Sequence, residues 1–222
     1  MRCVIICAAP NTDLAFIKSQ IKDDDYIICA DGGLEYARKL SVKPNLVVGD
    51  FDSYQGEIAE ITEKKIALDT HKDETDTLCC INEGIKIGCD TFLLLSALGG
   101  RFDHSFANLS LLQYIADKNC KGYIKTENET VTMLKEGSYR FEDLKGKTFS
   151  LFPFACDKAV VSYKNTEYPL ENAEVLSSTA VGVSNIFTDS KSEITIHSGY
   201  ALLFINEREQ LLFILFAGFM SG

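Results

Sequence analysis

Six aspartates stand in short, mostly glycine-flanked clusters along the first half of the chain. Asp31 opens Asp-Gly-Gly33, Asp50 and Asp52 lie in Gly49-Asp-Phe-Asp-Ser53, Asp73 and Asp76 in Lys72-Asp-Glu-Thr-Asp76, and Asp103 in Gly99-Gly-Arg-Phe-Asp-His104. Carboxylates brought close together raise one another's pKa or require a cation. An oxygen donor set without soft partners suits magnesium, which also binds phosphate oxygens. Arg101 offers a planar fork to phosphate and Lys72 a point charge. Gly32-Gly33 and Gly99-Gly100 remove side chains where backbone N–H groups could meet a phosphate at a helix start. Together these residue types point to metal-assisted handling of a polyphosphate.

Taken singly, most of the clusters have plain explanations. Asp31-Gly-Gly is a turn, Asp73-x-x-Asp76 is a helix cap with an acid in the first turn, and Gly99-Gly100 is a strand–helix connection. Asp50-x-Asp52 resists this, because two acids spaced i, i+2 at a strand end repel without a partner. The joint occurrence of all four is what marks a site.

Each cluster follows a short apolar run. Runs at 26–30, 46–48, 65–68 and 91–97, with others at 3–8 and 122–125, read as strands. Helical spacing lies between them, as in Leu14/Ile17/Ile21, Leu34/Ala37/Leu40, Leu78/Ile81/Ile85 and Leu109/Leu112/Ile115. Strand–helix alternation predicts a mostly parallel sheet covered on both faces. Its strand-to-helix loops then share the carboxyl edge, where open α/β sheets bind ligands near the reversal of strand order. After about residue 126 the rhythm changes to short runs between turn-rich pieces, which predicts an all-β sandwich. The expected organisation is an α/β nucleotide-binding catalytic domain over 1–125, then a β-sandwich domain over 126–222.

The bulk composition narrows the partners. A net charge of −10 over 222 residues argues against broad binding to nucleic acid or anionic lipid. Eight cysteines without a C-x-x-C pair read as buried, reduced thiols in a cytoplasmic protein. The apolar run at 211–220 is too short to span a bilayer, which takes about 20 residues. Cys7-Ala-Ala-Pro-Asn11 stands where a dinucleotide fingerprint would be, and the three histidines show no zinc-ligand spacing.

The clusters at 49–53, 72–76 and 99–104 stand in the order and approximate spacing of the thiamine pyrophosphokinase family. Asp31-Gly-Gly33 fits that pattern. Ser178-Thr-Ala-Val-Gly-Val-Ser-Asn185 resembles the family's Gly-x-Ser-Asn motif. The resemblance covers residues 4 to about 205. It implies transfer of pyrophosphate from ATP to the hydroxyl of thiamine, with magnesium, in a homodimer whose second domain binds thiamine and dimerises. It matches Asp50, Asp52 and Asp76 to metal ligands, with Asp52, Asp76 and Arg101 catalytic. Asp31, Gly32, Lys72, Asp73, Thr75, Arg101 and Asp103 are expected along the ATP and phosphate path, and Ser184 and Asn185 at thiamine. Either Asp76 or Asp52 would take the hydroxyl proton. The chain lacks the tryptophan that some members place against thiamine, so Phe187 or another aromatic would stand in. The alternative is a non-catalytic ATP/magnesium sensor on the same scaffold.

Overall fold

The computed structural model describes residues 1–10, 12–49, 74–179 and 181–207, with the backbone of Lys65–Ala67. Asp50, Asp52, Lys72, Asp73 and the run 211–220 lie outside the described residues. The chain divides into two compact units, Met1–Glu127 and Asn128–Gly222.

The first unit contains β1 (Arg2–Ile6), α1 (Leu14–Gln20), β2 (Tyr26–Ala30), α2 (Gly33–Lys39), β3 (Leu46–Gly49), β4 (Lys65–Ala67), α3 (Asp76–Lys86), β5 (Thr91–Leu95), α4 (Phe102–Asp117) and β6 (Lys121–Lys125). Every pairing in its sheet is parallel, in the order β6-β5-β1-β2-β3-β4. The chain therefore builds outward from β1 on one side, then returns to lay β5 against its other edge. The order reverses between β1 and β5.

Alternation along the strands sorts the core into two layers. Val4, Ile6, Cys29, Val47, Leu93 and Leu95 pack with Ile17 of α1 and Leu34, Ala37 and Leu40 of α2. The intervening Cys3, Ile5, Ile28, Phe92 and Leu94 are buried, as are Cys80 and Ile81 of α3 and Leu112 and Ile115 of α4. A Cβ added at Gly84 of α3 would stand 2.6 Å from the Phe92 ring, so α3 presses directly on this second face. Burying each such side chain contributes about 1.5–3 kcal/mol. Gly33, at the start of α2, packs as tightly against the other face. A Cβ there would overlap the Ile6 carbonyl oxygen and lie 2.7 Å from its carbon.

The second unit is built from two antiparallel sheets. One has the order β12 (Asn185–Ile186), β9 (Thr148–Pro153), β14 (Ala201–Asn206), β7 (Glu129–Leu134). The other runs β11 (Leu170–Leu176), β10 (Lys158–Lys164), β13 (Lys191–Ser198), β8 (Gly137–Glu142). Leu151, Leu203 and Ile205 from the first sheet and Val161, Ile194 and Ile196 from the second share one core. The fold is thus a parallel α/β sheet followed by a β-sandwich, as the sequence rhythm predicts. Among the described residues no helix is long and apolar enough to cross a membrane.

Two measurements check this packing. Gly33→Ala is expected to lower unfolding free energy by about 2–3 kcal/mol, since overpacked core sites cost that much; chemical denaturation reads it. Cys3, Cys7, Cys29, Cys80 and Cys89 are buried, while Cys79, Cys120 and Cys156 are partly exposed. A thiol reagent at pH 8 should therefore label only the last three before unfolding, as mass spectrometry would show.

Candidate active site

The turn after β1 is the hub of the carboxyl rim. The Cys7 N–H donates to the Leu95 carbonyl at 2.9 Å and the Ala9 N–H to the Ser96 carbonyl at 2.8 Å, which stitches this turn to the one after β5. The Tyr36 hydroxyl of α2 and the Thr12 hydroxyl both donate to the Ala9 carbonyl, at 2.8 and 3.0 Å. The turn before α2, the start of α3 and the rest of the turn after β5 close on the turn after β1. A Cβ at Gly32 would stand 3.1 Å from that of Ala8, and one at Gly100 would stand 2.7 Å from the Pro10 ring. Thr77, in the first turn of α3, brings its hydroxyl to 3.7 Å from the Cys7 sulfur. Next door, the Asp31 N–H donates to the Val48 carbonyl at 2.8 Å. Gly49, the residue before Asp50, abuts the Asp31 backbone, with a Cβ position 3.0 Å from its Cα. Asp31, Gly32, Gly49, Thr75, Asp76 and the 99–101 turn thus surround one rim.

Local chemistry explains how each is held. Asp31 sits at φ 43, a left-handed turn out of β2 that Asp tolerates better than most residues. Thr75 caps α3, its hydroxyl accepting from the Leu78 N–H at 3.2 Å. A residue expected on the phosphate path therefore also has a structural task. Asp76 is the first residue of the helix, where the helix dipole favours a negative charge. Cys7, close by, is pushed up to about 12, first by burial, with the Thr77 hydrogen bond opposing and the Asp76 charge adding. At pH 7 it is a neutral thiol packed in the core. The rim is left with hard oxygen donors.

At the head of α4, Arg101 forks onto Asp103, with Nε to Oδ1 at 3.1 Å and Nη2 to Oδ2 at 2.6 Å. That hydrogen bond, with the His104 N–H, holds the exposed Asp103 carboxyl below its ordinary range. The rest of the guanidinium's N–H groups remain for an anion. The Gly99 N–H donates to the Ser105 hydroxyl at 3.0 Å and the Asn108 amide to the Ala97 carbonyl at 2.7 Å, which pins the turn.

Among the described residues no three His, Cys, Asp or Glu side chains gather as a metal site. Two of the three expected ligands, Asp50 and Asp52, lie outside those residues. The described carboxylates at the rim, Asp31 and Asp76, are oxygen donors of the kind a hard divalent cation takes.

Ser96 was not singled out by its sequence. It follows β5 directly at φ 53, is 6% exposed, and its hydroxyl has no hydrogen-bond partner among the described residues. An unpaired buried hydroxyl costs about 1–3 kcal/mol, and a strained left-handed residue adds a cost of order 1–3 kcal/mol.

In the second unit, Ser184 is exposed at φ 59, its N–H donating to the Ser150 hydroxyl at 3.1 Å. Asn185 is buried, and its carboxamide is engaged on main chain. Oδ1 accepts from the Tyr168 N–H at 3.0 Å and the Ile186 N–H at 2.8 Å, while Nδ2 donates to the Tyr168 carbonyl at 2.8 Å. Phe187 does not meet the expectation of an aromatic open to a ligand. It is fully buried, with its ring centroid 4.5 Å from that of Phe149 and 5.4 Å from that of Phe141. The exposed aromatic of this unit, among the described residues, is Tyr168, at 61%. Its signal in the sequence is an aromatic set in a polar Asn-Thr-Glu-Tyr-Pro turn, where no core position is due. Asn185→Ala strands both main-chain groups of Tyr168, so stability should fall by about 1–3 kcal/mol, readable in a denaturant melt.

Two family models match the chain: "Thiamin pyrophosphokinase, catalytic domain" over residues 17–124 and "Thiamin pyrophosphokinase, vitamin B1 binding domain" over residues 134–203. Relatives include the thiamine pyrophosphokinase of Bacillus subtilis, 23% identical over 90% of this chain and 95% of its own. Another is thiamin pyrophosphokinase 1 of Caenorhabditis elegans, 23% identical over 95% of this chain and 92% of its own. The crystal structure of the Bacillus subtilis protein superposes with a TM-score of 0.81 at 19% identity, covering 94% of this chain and all (100%) of that one. Thiamin pyrophosphokinase from Candida albicans gives 0.76 at 17% identity, over 92% and 88%. At such identity the structural likeness speaks for the fold.

Proposed function

The chain belongs to the thiamine pyrophosphokinase family, matched along both of its units, and from that premise we propose that it transfers pyrophosphate from ATP to the hydroxyl of thiamine. The observation that carries this reading is the convergence of Asp31, Asp76 and the Arg101 turn on the turn after β1, where an open parallel sheet takes its ligand.

In the proposed reaction the thiamine hydroxyl oxygen attacks the β-phosphorus of ATP. The bond from that phosphorus to the oxygen bridging it to the α-phosphorus breaks, and AMP leaves. Asp76 or Asp52 accepts the hydroxyl proton. Arg101, oriented by Asp103, stabilises charge on the transferred group and the leaving AMP. Asp31, Gly32, Lys72, Asp73 and Thr75 line the nucleotide and phosphate path. Asp50, Asp52 and Asp76 would hold magnesium, which would supply positive charge to offset the acid cluster and the polyphosphate. At the thiamine end, Ser184 presents its hydroxyl. Asn185 holds the main chain of Tyr168, whose exposed face suits a cationic thiazolium ring. The matched vitamin B1 segment contains all three residues. We further take the working assembly to be a homodimer and the compartment to be the cytoplasm.

The assay is formation of thiamine diphosphate and AMP from thiamine and ATP with magnesium. AMP release separates a transferase from a nucleotide sensor. Asp76→Asn and Asp52→Ala are each expected to lower turnover about 100-fold or more, and Arg101→Ala by about 100-fold, the loss typical of removing one charge-stabilising donor. Turnover within a few-fold of the parent in the two acid variants would remove the metal assignment.

A further inference from the structure

We propose that Ser96 contacts the nucleotide, its hydroxyl donating to a phosphate oxygen of ATP once the crevice between β1 and β5 is filled. This deepens the nucleotide-binding reading above and rests on it. Three observations meet at this residue. Ser96 is the first residue past β5, at the reversal of strand order, and its carbonyl is bonded to Ala9 of the opposing turn. Its backbone holds a left-handed conformation that glycine adopts freely and serine does not. Its hydroxyl is buried without a partner among the described residues.

Glycine would remove both costs at once, so a serine here carries strain and an orphaned donor with no gain in the unliganded chain. Backbone strain of this kind clusters at ligand sites. Phosphate is the part of the ligand that fits. A hydroxyl donates well to an anionic oxygen, and the same turn carries the Gly99-Gly100-Arg101 segment. The hydroxyl is covered in the unliganded chain, so contact requires a small movement of the 96–101 turn. Gly99 and Gly100 stand in that turn at φ 120 and 66, conformations glycine adopts without strain.

The test is calorimetry of ATP with magnesium, and of adenosine, on the parent, Ser96→Ala and Ser96→Gly, together with thermal melts. Both variants are expected to bind ATP about 10-fold more weakly or worse, the loss of a hydrogen bond to a charged group, and to bind adenosine as the parent does. Ser96→Gly should also melt at a higher temperature than the parent. If Ser96→Gly is stabilised while its ATP affinity stays within twofold, the residue is a tolerated defect and the inference fails. Equal losses for ATP and adenosine would likewise overturn a phosphate contact. A parent that binds ATP but forms no thiamine diphosphate would remove the transferase reading and leave the Ser96 result standing on its own.

Discussion

Strand β1 is hydrogen-bonded in parallel on both edges, to β2 on one side and β5 on the other, and the site depends on that arrangement. Parallel strands share a direction, so every loop that leaves a carboxyl end leaves at one rim. The reversal of chain order at β1 opens the crevice there. Because side chains alternate, a slip of one residue would exchange Val4 and Ile6 for Cys3 and Ile5 and bury the wrong set against each helical layer. The same slip would carry the turn at 7–10 away from Gly32, Gly100 and Thr77. Core register and site geometry are therefore one constraint.

The rim is also chemically uniform. The chain is rich in acids, and the described part of the rim adds Asp31, Asp76 and Asp103, the last paired with Arg101. The nearest soft donor, Cys7, is neutralised by burial. Cys3, Cys29 and Cys80 have thiols raised chiefly by the same desolvation, and they fill the core as small apolar groups.

Much of this was legible in the residues. The runs at 26–30 and 46–48 lie within a residue of β2 and β3, because strands buried on both faces leave unbroken apolar stretches; the run at 122–125 lies within a residue of β6, whose burial alternates. The spacing of Leu34, Ala37 and Leu40 marked the buried face of α2 for a similar reason. Strands β8 and β11 were not apparent. They are the edges of their sheet, and Leu-Glu-Asn-Ala-Glu-Val-Leu in β11 buries too little to show a period of two. Strand β5 stops at Leu95 rather than 97 because Ser96 turns left-handed, which no side-chain pattern announces. Asn185 was legible as a marked residue. That its carboxamide would be engaged by Tyr168 was not, since the partner's main chain is brought close only by the sandwich. Phe187 goes inside for the same reason: its packing on Phe141 and Phe149 is set only by the sandwich.

Strand β14 lies between β7 and β9, which pair with it and not with one another. It is also the last strand of the second unit to leave the ribosome among the described residues. The six strands of the first unit are all in place by Lys125, so that unit can close while synthesis continues. Its successor cannot: β7 and β9 must wait with open edges until Ala201–Asn206 arrives to bridge them. This makes the sandwich the slower, more aggregation-exposed half of a nascent chain, and any interruption of translation before residue 201 removes the strand that joins β7 to β9.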